Sequence, residues 1–164
     1  MKPLRTAAVA LCVFFAAQGA AAQDHGFGLG VIIGEPTGLS AKLWTSTENA
    51  FAFGLGWSVG GNGIGKHKEE FEGETRVHFH VDYLWHAFKV IHSSERFPLY
   101  YGFGGRVNTG GEHDASLAVR GVLGIVWLPH DTPIDVFLEV VPSLVLTPSS
   151  GFALDAGIGA RYFF

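Results

Sequence analysis

From Arg76 to Trp85 the chain reads Arg-Val-His-Phe-His-Val-Asp-Tyr-Leu-Trp. Val77, Phe79, Val81, Tyr83 and Trp85 occupy odd positions, while Arg76, His78, His80 and Asp82 occupy even ones. Side chains leave a strand alternately from its two faces, so this stretch is a strand with one apolar face and one ionisable face. A helix would scatter both sets around its circumference. The alternation recurs and predicts eight strands, over 26–33, 38–45, 50–58, 75–86, 99–108, 115–128, 134–141 and 152–164. Turn-forming segments separate most of them: Gly34 to Gly38, Ser46 to Asn49, Thr109 to Asp114, Pro129 to Pro133 and Thr147 to Gly151. Two connections are longer, 60–74 and 87–98. With no repeat and no linker, the expected fold is one all-β domain, an eight-stranded antiparallel up-and-down barrel.

The contents of the two faces decide what surrounds that barrel. From residue 50 onward the apolar face carries large groups such as Phe51, Phe79, Phe103, Leu123, Leu138 and Ile158, and none of its positions is charged. The other face alternates small residues, among them Ala52, Gly54, Gly104, Ala118 and Gly157, with Arg76, Asp82, Arg106, Arg120, Asp135, Glu139, Asp155 and Arg161. Every cation in that set is arginine and none is lysine. A water-facing surface uses Lys and Glu freely. Arginine matched to carboxylates suits an enclosed space, because the guanidinium fork binds a carboxylate in two places and keeps its charge. Small residues suit the narrow interior of an eight-stranded barrel. Greasy groups outward and paired ions inward is the arrangement lipid requires, so the predicted barrel is transmembrane. Strand 2 departs from the pattern: Trp44 shares parity with Lys42 rather than with Leu43, which predicts a bulge there.

Residues 1–22 read as a secretory signal peptide, and 23–164 as the barrel domain. Lys2 and Arg5 precede the apolar run Ala7–Ala17, and Ala20-Ala-Ala22 supplies small residues before cleavage at Gln23. That run is shorter than the roughly 20 residues a spanning helix needs. Cys12, the only cysteine, lies within it and is preceded by Leu11, so neither a lipid anchor nor a disulfide is expected. At 48% hydrophobic and 16% charged residues the chain is too apolar to be disordered. A net charge of −4 and the lack of a basic run exclude a nucleic-acid partner. Export combined with a lipid-facing barrel predicts the outer membrane of a Gram-negative-type bacterium.

An even number of antiparallel strands puts both chain ends on one side, by analogy the periplasmic side. Trp85, Tyr101, Trp127 and Phe164 then fall near that side and Trp57 near the other, giving two aromatic girdles. With its signal peptide, its eight alternating strands and the terminal Gly-Ile-Gly-Ala-Arg-Tyr-Phe-Phe164, the chain resembles the OmpA/OmpX-type outer-membrane barrels. The resemblance implies insertion by a barrel-assembly machinery that reads the final phenylalanine. Gly34-Glu-Pro-Thr-Gly-Leu-Ser40, Asp82-Tyr-Leu-Trp-His86, Pro98-Leu-Tyr-Tyr-Gly102 and Asp135-Val-Phe-Leu-Glu139 are similar to an uncharacterised barrel family of spirochaetes and proteobacteria. Barrels of this kind serve as adhesins, anchors, enzymes or stability factors.

Several clusters offer chemistry. His78, His80 and Asp82 share a strand face at a spacing that could seat a metal. With no further ligand cluster in the sequence, the preferred assignment is a luminal hydrogen-bond network with Arg76 and the facing acids. Glu112-His-Asp-Ala-Ser116 contains the residue types of a hydrolytic triad, and some lipid A deacylases are eight-stranded barrels. Their His-x-Ser motif is missing, however, and residues so close in sequence seldom reach triad geometry. His92-Ser-Ser94 reads as a turn, and Gly26-Phe-Gly-Leu-Gly30 lies in a strand with no helix behind it. No catalytic residue, metal or cofactor is predicted. The enclosed Arg and carboxylate groups should pair and plug the barrel, which is then not an open pore. Expected partners are outer-membrane lipid, the assembly machinery and an external partner at loop 60–74, which includes Lys66-His-Lys-Glu-Glu-Phe-Glu-Gly-Glu74. The alternatives are a lipid-modifying barrel enzyme and a soluble periplasmic lipocalin-like barrel. The latter would gather Phe79, Leu123 and Ile158 around a central hollow.

Overall fold

The computed structural model describes residues 25–59, 75–109 and 115–164. The predicted signal peptide, loop 60–74 and Glu112-His-Asp114 lie outside the described residues. Eight strands form: β1 (Phe27–Gly34), β2 (Thr37–Trp44), β3 (Asn49–Val59), β4 (Thr75–Ala87), β5 (Leu99–Thr109), β6 (Ser116–Trp127), β7 (Ile134–Thr147) and β8 (Gly151–Phe163). Each pairs antiparallel with the next, and β8 pairs with β1, so the sheet closes in chain order. This is the architecture that the alternation predicted. Closure leaves no free strand edge.

The register fixes the shape. The inward ladder runs Asp135, Arg161, Gly30, Ser40, Gly54, His80, Arg106, Ala118, and then returns to β7 at Val145. One circuit, from Asp135 to Val145, therefore lands ten residues further along the starting strand. For eight strands that stagger corresponds to a tilt of about 40°. We call the rim where β1 begins and β8 ends the lower rim, and its opposite the upper.

Two boundaries differ from expectation. Strand β7 continues past Pro142 to Thr147 instead of stopping at 141. Proline is tolerated because the β6–β7 ladder passes from Leu123↔Val140 to Arg120↔Ser143 with no pair at Pro142. The expected bulge in β2 is absent: β2 and β3 pair without interruption from Thr37↔Trp57 to Trp44↔Ala50. The irregularity sits at the upper end of β6 and β7, where Leu117↔Thr147 is followed by Ala118↔Val145. Lys42 and Trp44 share parity simply because both point inward and are buried.

Glycine is required where the chain reverses between β1 and β2. Gly34 has φ +137°, a region closed to most side chains. Its N–H donates to Thr37 Oγ1 at 3.1 Å, and that hydroxyl donates back to the Gly34 carbonyl at 2.9 Å.

Candidate functional site

The chemistry-bearing side chains of the described strands converge on the lumen. Arg76, His78, His80 and Asp82 point inward from β4, Arg106 from β5, Arg120 from β6, Asp135 and Glu139 from β7, and Asp155 and Arg161 from β8. All ten are buried. The period-two geometry puts them there, since residues of one parity along a strand share one face of the sheet.

Three connected groups make up the interior. Near the lower rim Arg161 grips Asp135, with Nε 2.9 Å from Oδ1 and the second terminal nitrogen 2.9 Å from Oδ2. Lys42 Nζ, fully buried, reaches the same Oδ2 from across the barrel at 3.5 Å. Its ammonium lies 4.2 Å from the centre of the Trp44 ring, and the Arg161 guanidinium lies 4.0 Å from that of Phe137. These aromatic faces replace part of the hydration both cations lose.

At mid-height Arg120 serves as the hub. Its Nε lies 3.1 Å from Asp82 Oδ1, and a terminal nitrogen lies 3.7 Å from Glu139 Oε1. The first contact is an ion pair whose N–H does not point at the oxygen, so attraction between charges rather than an aligned hydrogen bond holds it. The Tyr100 hydroxyl donates to Glu139 Oε2 at 2.9 Å. His78 Nε2 and His80 Nδ1 face each other at 2.8 Å, and His80 Nε2 is 3.7 Å from Asp82 Oδ2. Arg120 also comes within 3.4 Å of His78. The imidazoles are thus spent on each other, on Asp82 and on Arg120. Among the described residues no three His, Cys, Asp or Glu side chains are arranged to hold a metal ion.

The third group is the ion pair between Arg106 and Asp155, which spans the lumen from β5 to β8. With Lys42 included, the inward side chains of the described strands carry five cations, Lys42, Arg76, Arg106, Arg120 and Arg161, against four carboxylates, Asp82, Asp135, Glu139 and Asp155.

The interior is less uniformly ionic than the sequence implied. Its lower half holds Leu84, Tyr100, Val122, Val126, Leu128 and Phe137 in one apolar cluster, and Trp44, Ala50 and Phe163 in a second. Several of these carry no alternation signal: in Val122-Leu123 and Val126-Trp127 both faces are apolar, so the parity is invisible. Lys42, His86 and Tyr100 are luminal residues that parity alone could have found, because Tyr100 lies in phase with Gly102, Gly104 and Arg106.

The outward face is apolar between the rims, with polar residues such as Thr37, Asn49 and Thr109 only at strand ends. Phe79, Leu123 and Ile158 are 47%, 59% and 52% exposed, and no charged residue occupies an outward position on any described strand. Of the expected girdle, Trp85, Tyr101, Trp127 and Phe164 lie towards the lower rim, and Trp57 towards the upper. Trp85 and Tyr101 stack at 5.8 Å, and Trp127 stacks on Phe97 at 6.4 Å. No family model, curated protein or solved structure matches the chain.

Proposed function

We propose that this chain is an integral outer-membrane barrel of the OmpA/OmpX type, exported and anchored in lipid. Its role is structural or surface-interacting, not catalytic. The observation that carries the proposal is the partition of charge: every charged side chain on the described strands is turned inward and buried, while the outward face is a continuous apolar belt. Apolar patches on water-soluble monomers rarely exceed a few hundred Å², and this belt rings the barrel. Strands β3 to β8, at 11 to 14 residues, are long enough to cross a bilayer when tilted.

The same partition argues against conduction. Two ion pairs, Lys42–Asp135 and Arg106–Asp155, cross the lumen between strands three apart, and Arg120 fills the space between them. A water column through these groups would have to separate paired charges. The outward belt also disfavours the lipocalin-like alternative, whose apolar side chains would face in. A surface partner, if one binds, meets the acidic segment 60–74, and insertion would use the barrel-assembly machinery.

Expression in a Gram-negative host, followed by carbonate washing, tests the location. Retention with the outer membrane is expected, and release into the wash contradicts it. An unchanged lipid A mass is expected on expression, whereas a mass shift would favour a lipid-modifying enzyme. In planar bilayers no large, stable conductance is expected.

A further inference from the structure

Asp135 is the second residue of β7, so it stands at the lower rim, yet it is fully buried; Arg161, close to the end of β8, is almost as enclosed. Something must cover this end of the lumen. The connection 88–98 is placed to do so. Phe88, the first residue after β4, packs against both apolar clusters. Its ring lies 6.4 Å from that of Trp44 and 6.3 Å from that of His86. The Arg96 guanidinium lies over the Phe88 ring at 5.3 Å. The far end of the segment continues the β5–β6 ladder past β5, where Leu128 N–H donates to the Arg96 carbonyl at 2.9 Å and Val126 N–H to the Pro98 carbonyl at 3.1 Å. On the outer side of the wall Phe97 stacks on Trp127, whose indole N–H donates to Glu95 at 3.3 Å, which fixes that end of the segment to β6. A segment fixed to β6 at one end, with a half-buried aromatic ring laid on both luminal clusters at the other, is built as a strap.

We propose that residues 88–98 form a strap that seals the lower mouth of the barrel, a barrier separate from the mid-height ion pairs, and that Phe88 is its stopper. The strap keeps water from the Asp135–Arg161–Lys42 cluster. It rests on the non-conducting interior proposed above but not on the lipid, since the seal is made by protein alone. Both barriers lie in series, so loss of the strap alone opens the lower chamber without producing conductance.

Cysteine accessibility in detergent micelles tests the seal, in a Cys12→Ser background that leaves no other thiol. Ala50→Cys places a probe in the lower lumen, where Ala50 is fully buried. Ala153→Cys is a second probe, on the inner face near the upper rim. With the strap intact, a charged methanethiosulfonate should label the lower probe slowly. Phe88→Ala should raise that rate about tenfold or more, because the truncated ring leaves the mouth uncovered. Phe88→Leu should keep the rate near the parent's, and labelling of the upper probe should not change. Should Phe88→Ala prevent folding, as judged by heat-modifiable gel mobility, Arg96→Ala loosens the same contact more gently and should give the same selective increase. An unchanged rate at the lower probe, or equal acceleration at both probes, overturns the strap. Failure of the protein to enter lipid would leave this result intact and count only against the membrane assignment.

Discussion

Arg161 holds Asp135 in a two-pronged grip, Nε to Oδ1 and a terminal nitrogen to Oδ2 both at 2.9 Å, with the carboxylate completely buried. Lys42 shares the same carboxylate from the far side at 3.5 Å. One anion thus ties β2, β7 and β8 together.

That sharing predicts unequal costs. Asp135→Leu strands two buried cations and should lower barrel stability by about 3–5 kcal/mol. Arg161→Met should cost less, because Lys42 still faces the carboxylate. Urea unfolding of the refolded barrel, followed by tryptophan fluorescence, checks the order; equal losses would mean that Lys42 contributes nothing.

Arg120→Leu should destabilise the barrel by a few kcal/mol, since it leaves Asp82 and Glu139 both short of their cation. Glu139→Gln should be milder, as the amide oxygen can still accept from the Tyr100 hydroxyl. If heat-modifiable gel mobility is unaltered in Arg120→Leu, mid-height pairing does not support the barrel.

Glycines on the two faces should respond in opposite ways. A Cβ at Gly54 would lie 2.2 Å from the His80 ring, so Gly54→Ala must push that ring off His78. The expected cost is about 1–3 kcal/mol. At Gly105, on the outer wall, the nearest atom would be 3.8 Å away, and Gly105→Ala should be tolerated. Melting temperatures of the two variants settle the comparison.

Leu123→Arg puts a cation on the outward face near the middle of β6, where Leu123 is 59% exposed. In lipid the change should cost about 2–4 kcal/mol, measured as unfolding free energy in vesicles. A barrel standing in water would accept it with almost no change.

Much of this architecture was legible because alternation is a strict signal wherever the two faces differ in chemistry. In β4 every even residue from Arg76 to Asp82 is ionisable and every odd one between them apolar, so a single register was possible. Legibility failed where the faces match or a special residue intervenes. Val122 and Val126 face inward beside equally apolar outward neighbours, so the lower apolar chamber left no trace in the pattern. Pro142 looked like a strand end because it lacks an N–H, and only the ladder shows that none is called for there. Lys42 with Trp44 suggested a bulge because a lysine was not expected to be enclosed; its carboxylate partner comes from β7, 93 residues away. The segment 88–98 has no periodicity at all, and its contacts with Trp44 and Leu128 join residues far apart in sequence that only the assembled sheet brings together.

The orientation of the wall is tested most directly by quenching with brominated lipid acyl chains in single-tryptophan variants. Trp57, Trp85 and Trp127 stand on the outward face, whereas Trp44 is turned inward and is 7% exposed. Fluorescence from the first three should be strongly quenched in reconstituted vesicles, and that from Trp44 should be spared. Quenching of Trp44 as strongly as Trp85, or of none of the four, would contradict a barrel whose greasy face meets hydrocarbon.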